Sequence, residues 1–222
     1  MFNEEEYIER TVGAVRDVLH GMGADHEIVI VDDASSDRTG TLADELARRD
    51  ARIRVLHHAR NRSLGGALKT GFAAARKELV LYTDADMPFD LQVLPRAVGL
   101  LEHRGADLLI GYRLNRGAAG RRRALYTWGY NRLIRLLFGL QVRDVNFAFK
   151  LIRRRLLEGM ALRSEGSFID AELLLRARKA GARLVEIGVD YFPRTRGSST
   201  LASPRVILGI LRELLALRAE LR

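Results

Sequence analysis

The chain has 222 residues, enough for one large domain or two small ones, and its 47% hydrophobic and 29% charged residues describe a folded protein with a sizeable core. It has no cysteine, which excludes disulfide frameworks, thiolate metal sites and cysteine nucleophiles. The net charge of +9 is divided unevenly: residues 1–112 hold 14 Lys/Arg against 19 Asp/Glu, and residues 113–222 hold 23 against 9. That split points to an anionic partner for the second half, although Arg supplies 33 of the 37 basic residues, so part of it follows from composition alone.

In chain order, residues 27–31 form a short β-branched run, the pattern of a strand buried on both faces, and it stops at Asp32 and Asp33. Ser36, Asp37 and Thr39 offer caps for a helix over 38–49. A strand is expected at 53–57, a helix opened by glycines at 65–77, and a third strand at 78–83 that stops at Asp84-Ala85-Asp86. A helix over 91–104 and a strand over 107–111 complete an alternation typical of a doubly wound, mostly parallel sheet. Further on, helices are expected at 121–138, 169–180 and 204–222, strands at 144–152 and 184–191, and a loop at 194–199. The last helix carries Ile207, Ile210, Leu211, Leu214, Leu217 and Leu221 on one face, opposite Arg205, Arg212, Glu213 and Glu220. Such a face packs on its own domain or on a second subunit, or lies in a membrane interface.

No repeat or linker interrupts the pattern, so a single domain over 1–222 is expected. Within it, 1–112 forms one half, 113–203 the other, and 204–222 a terminal amphipathic helix. No apolar run reaches the length of a membrane span and the acidic N-terminus does not read as a signal peptide. The expected location is therefore cytoplasmic, peripheral to the inner face of the cell membrane. No motif of interleaved basic and aromatic residues is present, so nucleic acid is not an expected partner.

Ligands of an open α/β sheet bind beyond the carboxyl ends of its strands, where this chain places two acidic pairs. Residues i and i+2 of an extended segment point the same way, so Asp84 and Asp86 are expected to face one cation. Mg²⁺ and Mn²⁺ take one or two carboxylates together with substrate phosphate, and such an ion makes a diphosphate a better leaving group. No dinucleotide-binding glycine loop, P-loop, zincin spacing or nucleophile elbow competes with this reading. The five histidines do not cluster with acidic residues at ligand spacing.

Taken in order, these residues resemble the inverting glycosyltransferases of family 2, with the GT-A fold, and in particular their dolichyl- and polyprenyl-phosphate sugar synthase branch. Phe2-Asn3-Glu4-Glu5 is similar to the end of the family's opening segment, and Val31-Asp32-Asp33-Ala34-Ser35-Ser36-Asp37 to its nucleotide-binding turn. Residues 61–71 resemble its N-x-G-x-x-x-A-x-x-x-G segment, Asp84-Ala85-Asp86 its metal motif, Gly111-Tyr112-Arg113 its G-S-R, and 194–199 its late R-x-x-G-x-S loop. Ser63 stands in place of a glycine, Pro88 where many members carry a glutamine, and Ala148 and Lys150 in place of Gly and Arg. The chain opens at the last residues of the family's first segment, so the first strand of the Rossmann-like sheet is expected to be missing.

The resemblance implies transfer of a hexose from a UDP- or GDP-linked donor, dependent on Mg²⁺ or Mn²⁺, to a lipid phosphate at a membrane surface. It implies Asn3, Glu4, Asp32, Asp33 and Asp84 for the nucleotide, Asp86 with Asp84 for the metal, and Arg113 and Arg194 for diphosphate charge. Arg122, Arg123, Arg196 and Ser199 are expected to meet the acceptor. A phosphate acceptor is already ionised and needs cations to position it, whereas a hydroxyl acceptor needs a base such as Asp170 or Glu172. Transfer to a hydroxyl is the competing reading. A nucleotide-sugar pyrophosphorylase and a nucleic-acid binder are weaker ones.

Overall fold

The computed structural model describes residues 1–114, 121–192 and 204–221, with side chains described from Tyr126 onward in the helix at 121–138 and from Val206 onward in the last helix. Strand β1 (Ile28–Asp32) lies parallel to β2 (Ile53–His57), Ile28 opposite Ile53 and Asp32 opposite His57. Helix α1 (Ile8–Gly21) precedes them and α2 (Thr39–Arg49) connects them. Helix α1 is absent from the sequence expectation, although Ile8, Val12, Val15 and Leu19 recur at helical spacing. Ile8, Val12, Ile30, Ala43 and Ile53 close a small core between α1, α2 and one face of this sheet. Helix α3 (Ser63–Ala74) packs on the opposite face, where Gly71 lies against Val31.

A second sheet has the order β3-β5-β4-β6, from β3 (Leu79–Thr83), β4 (Leu108–Arg113), β5 (Phe149–Arg153) and β6 (Leu184–Val189). Strands β4 and β6 are parallel, whereas β5 runs antiparallel to both β3 and β4. The α/β class with parallel strands flanked by helices is as expected, and β5 is the antiparallel exception. Strand β5 also begins five residues later than expected, because the 144–148 stretch turns to bring the buried Asp144 against Arg113. Among the described residues β1 and β3 each pair on one side only, so the two sheets end facing each other with no strand between them.

Alternate residues of the second sheet point into two cores. Leu108, Ile110 and Ile152 meet α5 (Arg121–Phe138), α7 (Ile169–Lys179) and α8 (Pro204–Leu221). Leu109, Phe149, Leu151, Ile187 and Val189 meet α4 (Leu94–His103) and Val18 of α1. A short α6 (Arg154–Glu158) follows β5. On α8, Ile210, Leu214, Leu217 and Leu221 are buried in the first of these cores, while Leu208, Leu211 and Leu215 are exposed. Its apolar face therefore packs largely on its own chain. Among the described residues no helix is long and apolar enough to cross a membrane.

Candidate active site

The carboxyl ends of β1 and β3 open onto a cavity of about 2060 Å³, whose walls include Asn3, Glu4, Asp33, Asp84, Asp86 and Asp170. Burial pushes the Met1 amine below its ordinary value, opposed by the charges of Asp33, Asp32, Glu4 and Asp84. Asp33 and Asp84–Asp86, distant in sequence, are thus brought to one cavity.

The turn after β1 is held from within. Asp32 accepts from the Ser35 backbone N–H at 3.1 Å and bonds His57 Nδ1 at 3.0 Å. Burial alone would raise this carboxyl, but those partners outweigh it and hold it below the usual carboxylate range. Asp33 accepts from the Arg62 N–H at 2.8 Å and bonds His58 Nδ1 at 2.6 Å, which ties the 58–62 segment to the turn. Asn3, with φ of 55°, bonds Ser35 and Ser36 through its backbone and side chain. Of the Asp32–Asp33 pair, Asp33 lines the cavity and Asp32 does not. His57 and His58 are thus site-shaping residues that no sequence spacing marked.

The Asp84–Asp86 segment is not extended. The chain leaves β3 at Thr83 and turns, with the Met87 N–H donating to the Asp84 carbonyl at 3.3 Å and Met87 at φ 40°. The alternation argument for these two carboxylates therefore fails, and the turn itself presents both to the cavity. Thr11 of α1 anchors it by donating to the Ala85 carbonyl. Downstream, the Phe192 N–H donates to Pro88 O at 2.8 Å. Among the described residues no group of three or more His, Asp or Glu is arranged to hold a metal alone. Two carboxylates on one turn nevertheless fit a hard divalent cation that takes its other oxygens from phosphate and water.

Two buried ion pairs support this floor. Arg113 meets Asp144 through two bonds, Nε to Oδ2 at 2.7 Å and Nη2 to Oδ1 at 3.0 Å, and lies against the Phe147 and Tyr191 rings. Burial would lower its basicity, but the Asp144 contact more than compensates and keeps it charged. Arg113, expected to meet diphosphate, thus commits Nε and one Nη2 N–H to a fully buried carboxylate. Lys150, also fully buried, donates to Asp170 Oδ1 and to Phe147 O at 2.9 Å. Burial raises the Asp170 carboxyl, with Lys150 opposing that shift. Glu172 accepts from the Arg163 and Ser164 N–H groups and from Arg176, a structural role that removes it as a base. Asp144 escaped the sequence reading because it opens an aromatic run that reads as a strand. A lone acid before such a run was the available signal.

Arg194, Arg196 and Ser199 lie outside the described residues, and of Arg122 and Arg123 only the helical backbone of α5 is described. Loop 163–167 is fixed against α3: the Gly65 and Gly66 N–H groups donate to the Glu165 carbonyl at 2.7 and 3.3 Å. A Cβ at Gly65 would lie 2.3 Å from Ser164 O, so only glycine permits this approach.

A strand-end acidic turn facing a second acidic turn across a cavity, on this α/β frame, defines a GT-A glycosyltransferase domain. The chain belongs to glycosyl transferase family 2, whose sequence pattern matches residues 1–160. It is 33% identical over 216 residues to glycosyltransferase AglD of Haloferax volcanii, covering 94% of this chain but only 34% of that one. It is 32% identical over 216 residues to polyprenol monophosphomannose synthase of Mycolicibacterium smegmatis, covering 92% of this chain and 80% of the relative. Its fold is similar to glucosyl-3-phosphoglycerate synthase from Mycobacterium tuberculosis, solved with Mn²⁺ and UDP-glucose. That match has a TM-score of 0.70 at 22% identity and covers 96% of this chain and 76% of that one.

Proposed function

We propose that the protein transfers a hexose from a UDP- or GDP-linked donor to a polyprenyl or dolichyl phosphate, with inversion at the anomeric carbon. The observation that carries this reading is the Asp84–Asp86 turn, set against Asn3, Glu4 and Asp33 around one cavity in a family 2 chain. Asp33, Asn3 and Glu4 would contact the nucleoside, and Asp84 and Asp86 would hold Mg²⁺ or Mn²⁺. That ion, when bound, supplies charge neutralisation for the departing diphosphate. Support for the acceptor comes from the relatives named above and from the excess of arginine beyond residue 112.

A phosphate oxygen attacks without a base, which agrees with Asp170 having one carboxylate oxygen committed to the buried Lys150. Arg122, Arg123, Arg194, Arg196 and Ser199 remain the proposed acceptor contacts, with Arg194 also meeting diphosphate. The chain would act as one domain, on the cytoplasmic face of a membrane. The test is a panel of UDP- and GDP-sugars with Mg²⁺ or Mn²⁺ and polyprenyl phosphate. Transfer to the lipid is expected, and Asp86→Ala is expected to lower it at least about 100-fold, a typical loss for a group stabilising developing charge. Full activity in Asp86→Ala refutes the metal assignment. Transfer only to sugar hydroxyls refutes the acceptor.

A further inference from the structure

We propose that Arg212 of α8 binds a phosphate group in the cavity, and that this phosphate belongs to the acceptor. The inference rests on the lipid-phosphate reading above and adds a residue to it from beyond the 1–160 segment that the family pattern covers. Helix α8 turns one side to the cavity: Val206, Gly209, Ile210 and Glu213 recur along its wall at helical spacing, with Arg212 beside them. Asp84, Asp86 and Asp170 line the same cavity. Among the described residues the wall holds one arginine, Arg212, and one lysine, Lys77, which is paired with Asp25. Arg212 is exposed and makes no hydrogen bond or ion pair with a described residue.

The carboxylates on this side of the cavity are committed elsewhere. Glu213 Oε1 accepts from the Glu165 N–H at 2.9 Å and from the Gly166 N–H at 2.8 Å. Asp170 is engaged by Lys150, and Glu165 by Lys69. The guanidinium of Arg212 is always charged and offers a planar fork of N–H donors that fits two phosphate oxygens at once. The Glu213 contacts also fix its placement. Glu165 is gripped by α8 through its N–H, and by Gly65 and Gly66 of α3 through its carbonyl. Arg212 therefore stands on a helix tied across the cavity wall, and a side chain on such an element is placed more precisely than one on a loop.

Two phosphates would enter this cavity, the donor's diphosphate and the acceptor's own. The surroundings of Arg212 favour the second. Leu208 and Leu215, both exposed, stand four residues before it and three after it, and so adjoin it on the helix surface. Leu211, also exposed, continues the same stripe. A cation bordered by leucines suits a phosphate carried on an apolar chain, whereas the base, ribose and hexose of a donor are polar. The donor's diphosphate has its own charge partner in the ion proposed for the Asp84–Asp86 turn. An acceptor phosphate is already ionised, so a cation that holds it in place is what the transfer needs from the protein.

The test is steady-state transfer to polyprenyl phosphate by the full chain, with donor and acceptor varied in turn. Arg212→Gln is expected to raise the acceptor KM at least about tenfold, the scale of one lost charged hydrogen bond, and to leave the donor KM within about twofold of the parent. Arg212→Lys is expected to recover part of the loss. Arg104→Gln, which removes a charge from an exposed position after α4, is the control and is expected to match the parent. A raised donor KM with an unchanged acceptor KM gives Arg212 to the diphosphate and overturns the proposal. Unchanged constants overturn it too, as does an equal rise in acceptor KM in Arg104→Gln, which marks a general charge effect. A parent chain that makes no glycosyl lipid refutes the proposed function itself, and this inference with it; an active parent with unchanged constants in Arg212→Gln refutes this inference alone.

Discussion

Asp170→Asn separates a structural carboxylate from a catalytic base. The substitution keeps the side-chain shape but leaves Lys150 Nζ, on a residue with no solvent exposure, facing a neutral amide. Breaking a buried pair from one side costs about 3–5 kcal/mol, because the remaining charge is neither paired nor hydrated. The Phe147 carbonyl still accepts from Lys150, which places the expected cost near the lower bound, about 3 kcal/mol. That is a large part of the ~5–15 kcal/mol by which domains are stable. Replacing both residues, Lys150→Met with Asp170→Leu, removes the stranded charge and is expected to restore stability to within ~1 kcal/mol of the parent or above it. Equilibrium urea unfolding followed by circular dichroism measures both. A cost below ~1 kcal/mol for Asp170→Asn, or a double variant as unstable as the two singles added together, refutes the reasoning. The same measurement guards the activity assay, since lost transfer in Asp170→Asn supports a base only if the variant remains folded.

Arg113→Lys retains a charge but loses the two-armed grip on Asp144, and is expected to lower unfolding stability by about 2–4 kcal/mol; unchanged stability with reduced transfer would return Arg113 to the diphosphate. Gly65→Ala should destabilise by roughly 1–3 kcal/mol despite improved helix propensity, since its Cβ meets Ser164 O. Gly71→Ala, whose Cβ has only an ordinary contact with Val31, should stabilise by about 0.5–1 kcal/mol, and the two urea midpoints should move in opposite directions. Asp44 and then Asp32 raise the His57 pKa above 6.5, so its contribution is full at lower pH and is lost as pH climbs through the raised value. Partial exposure limits the effect to under ~1 kcal/mol, and the loss of stability as pH rises above 6.5 should be absent from the unfolding curves of His57→Ala.

Most elements were legible because their signals are local. β1, β2, β3 and β4 are short β-branched or leucine-rich runs, β1 and β3 stopping at acidic residues, and each lies within two residues of its expected place. Helix α7 ends before Gly181, which takes the positive φ of a helix terminus. Helix α1 was missed because its apolar residues are interleaved with arginine and acidic residues and no strong cap marks its start. The direction of β5 was not legible at all. Parallel and antiparallel strands share the same apolar run when both faces are buried, and the choice depends on which neighbour receives the hydrogen bonds.

The amino-acid sequence determined the α/β class, the family and the two acidic turns, because strand-end carboxylates after apolar runs are encoded by contiguous residues. Only the tertiary structure decided which charged groups are available for chemistry. Arg113, Asp170 and Glu172 look alike as exposed or buried residues in a string of letters. Their partners Asp144, Lys150 and the Arg163–Ser164 backbone lie between 8 and 31 residues away and meet them only after folding. A buried charge must find a counter-charge or hydrogen bonds, so packing had already assigned these groups to one another. Part of the charge asymmetry of the chain is likewise neutralised inside the fold, where Arg113, Lys150 and Arg176 of the second half meet Asp144, Asp170 and Glu172.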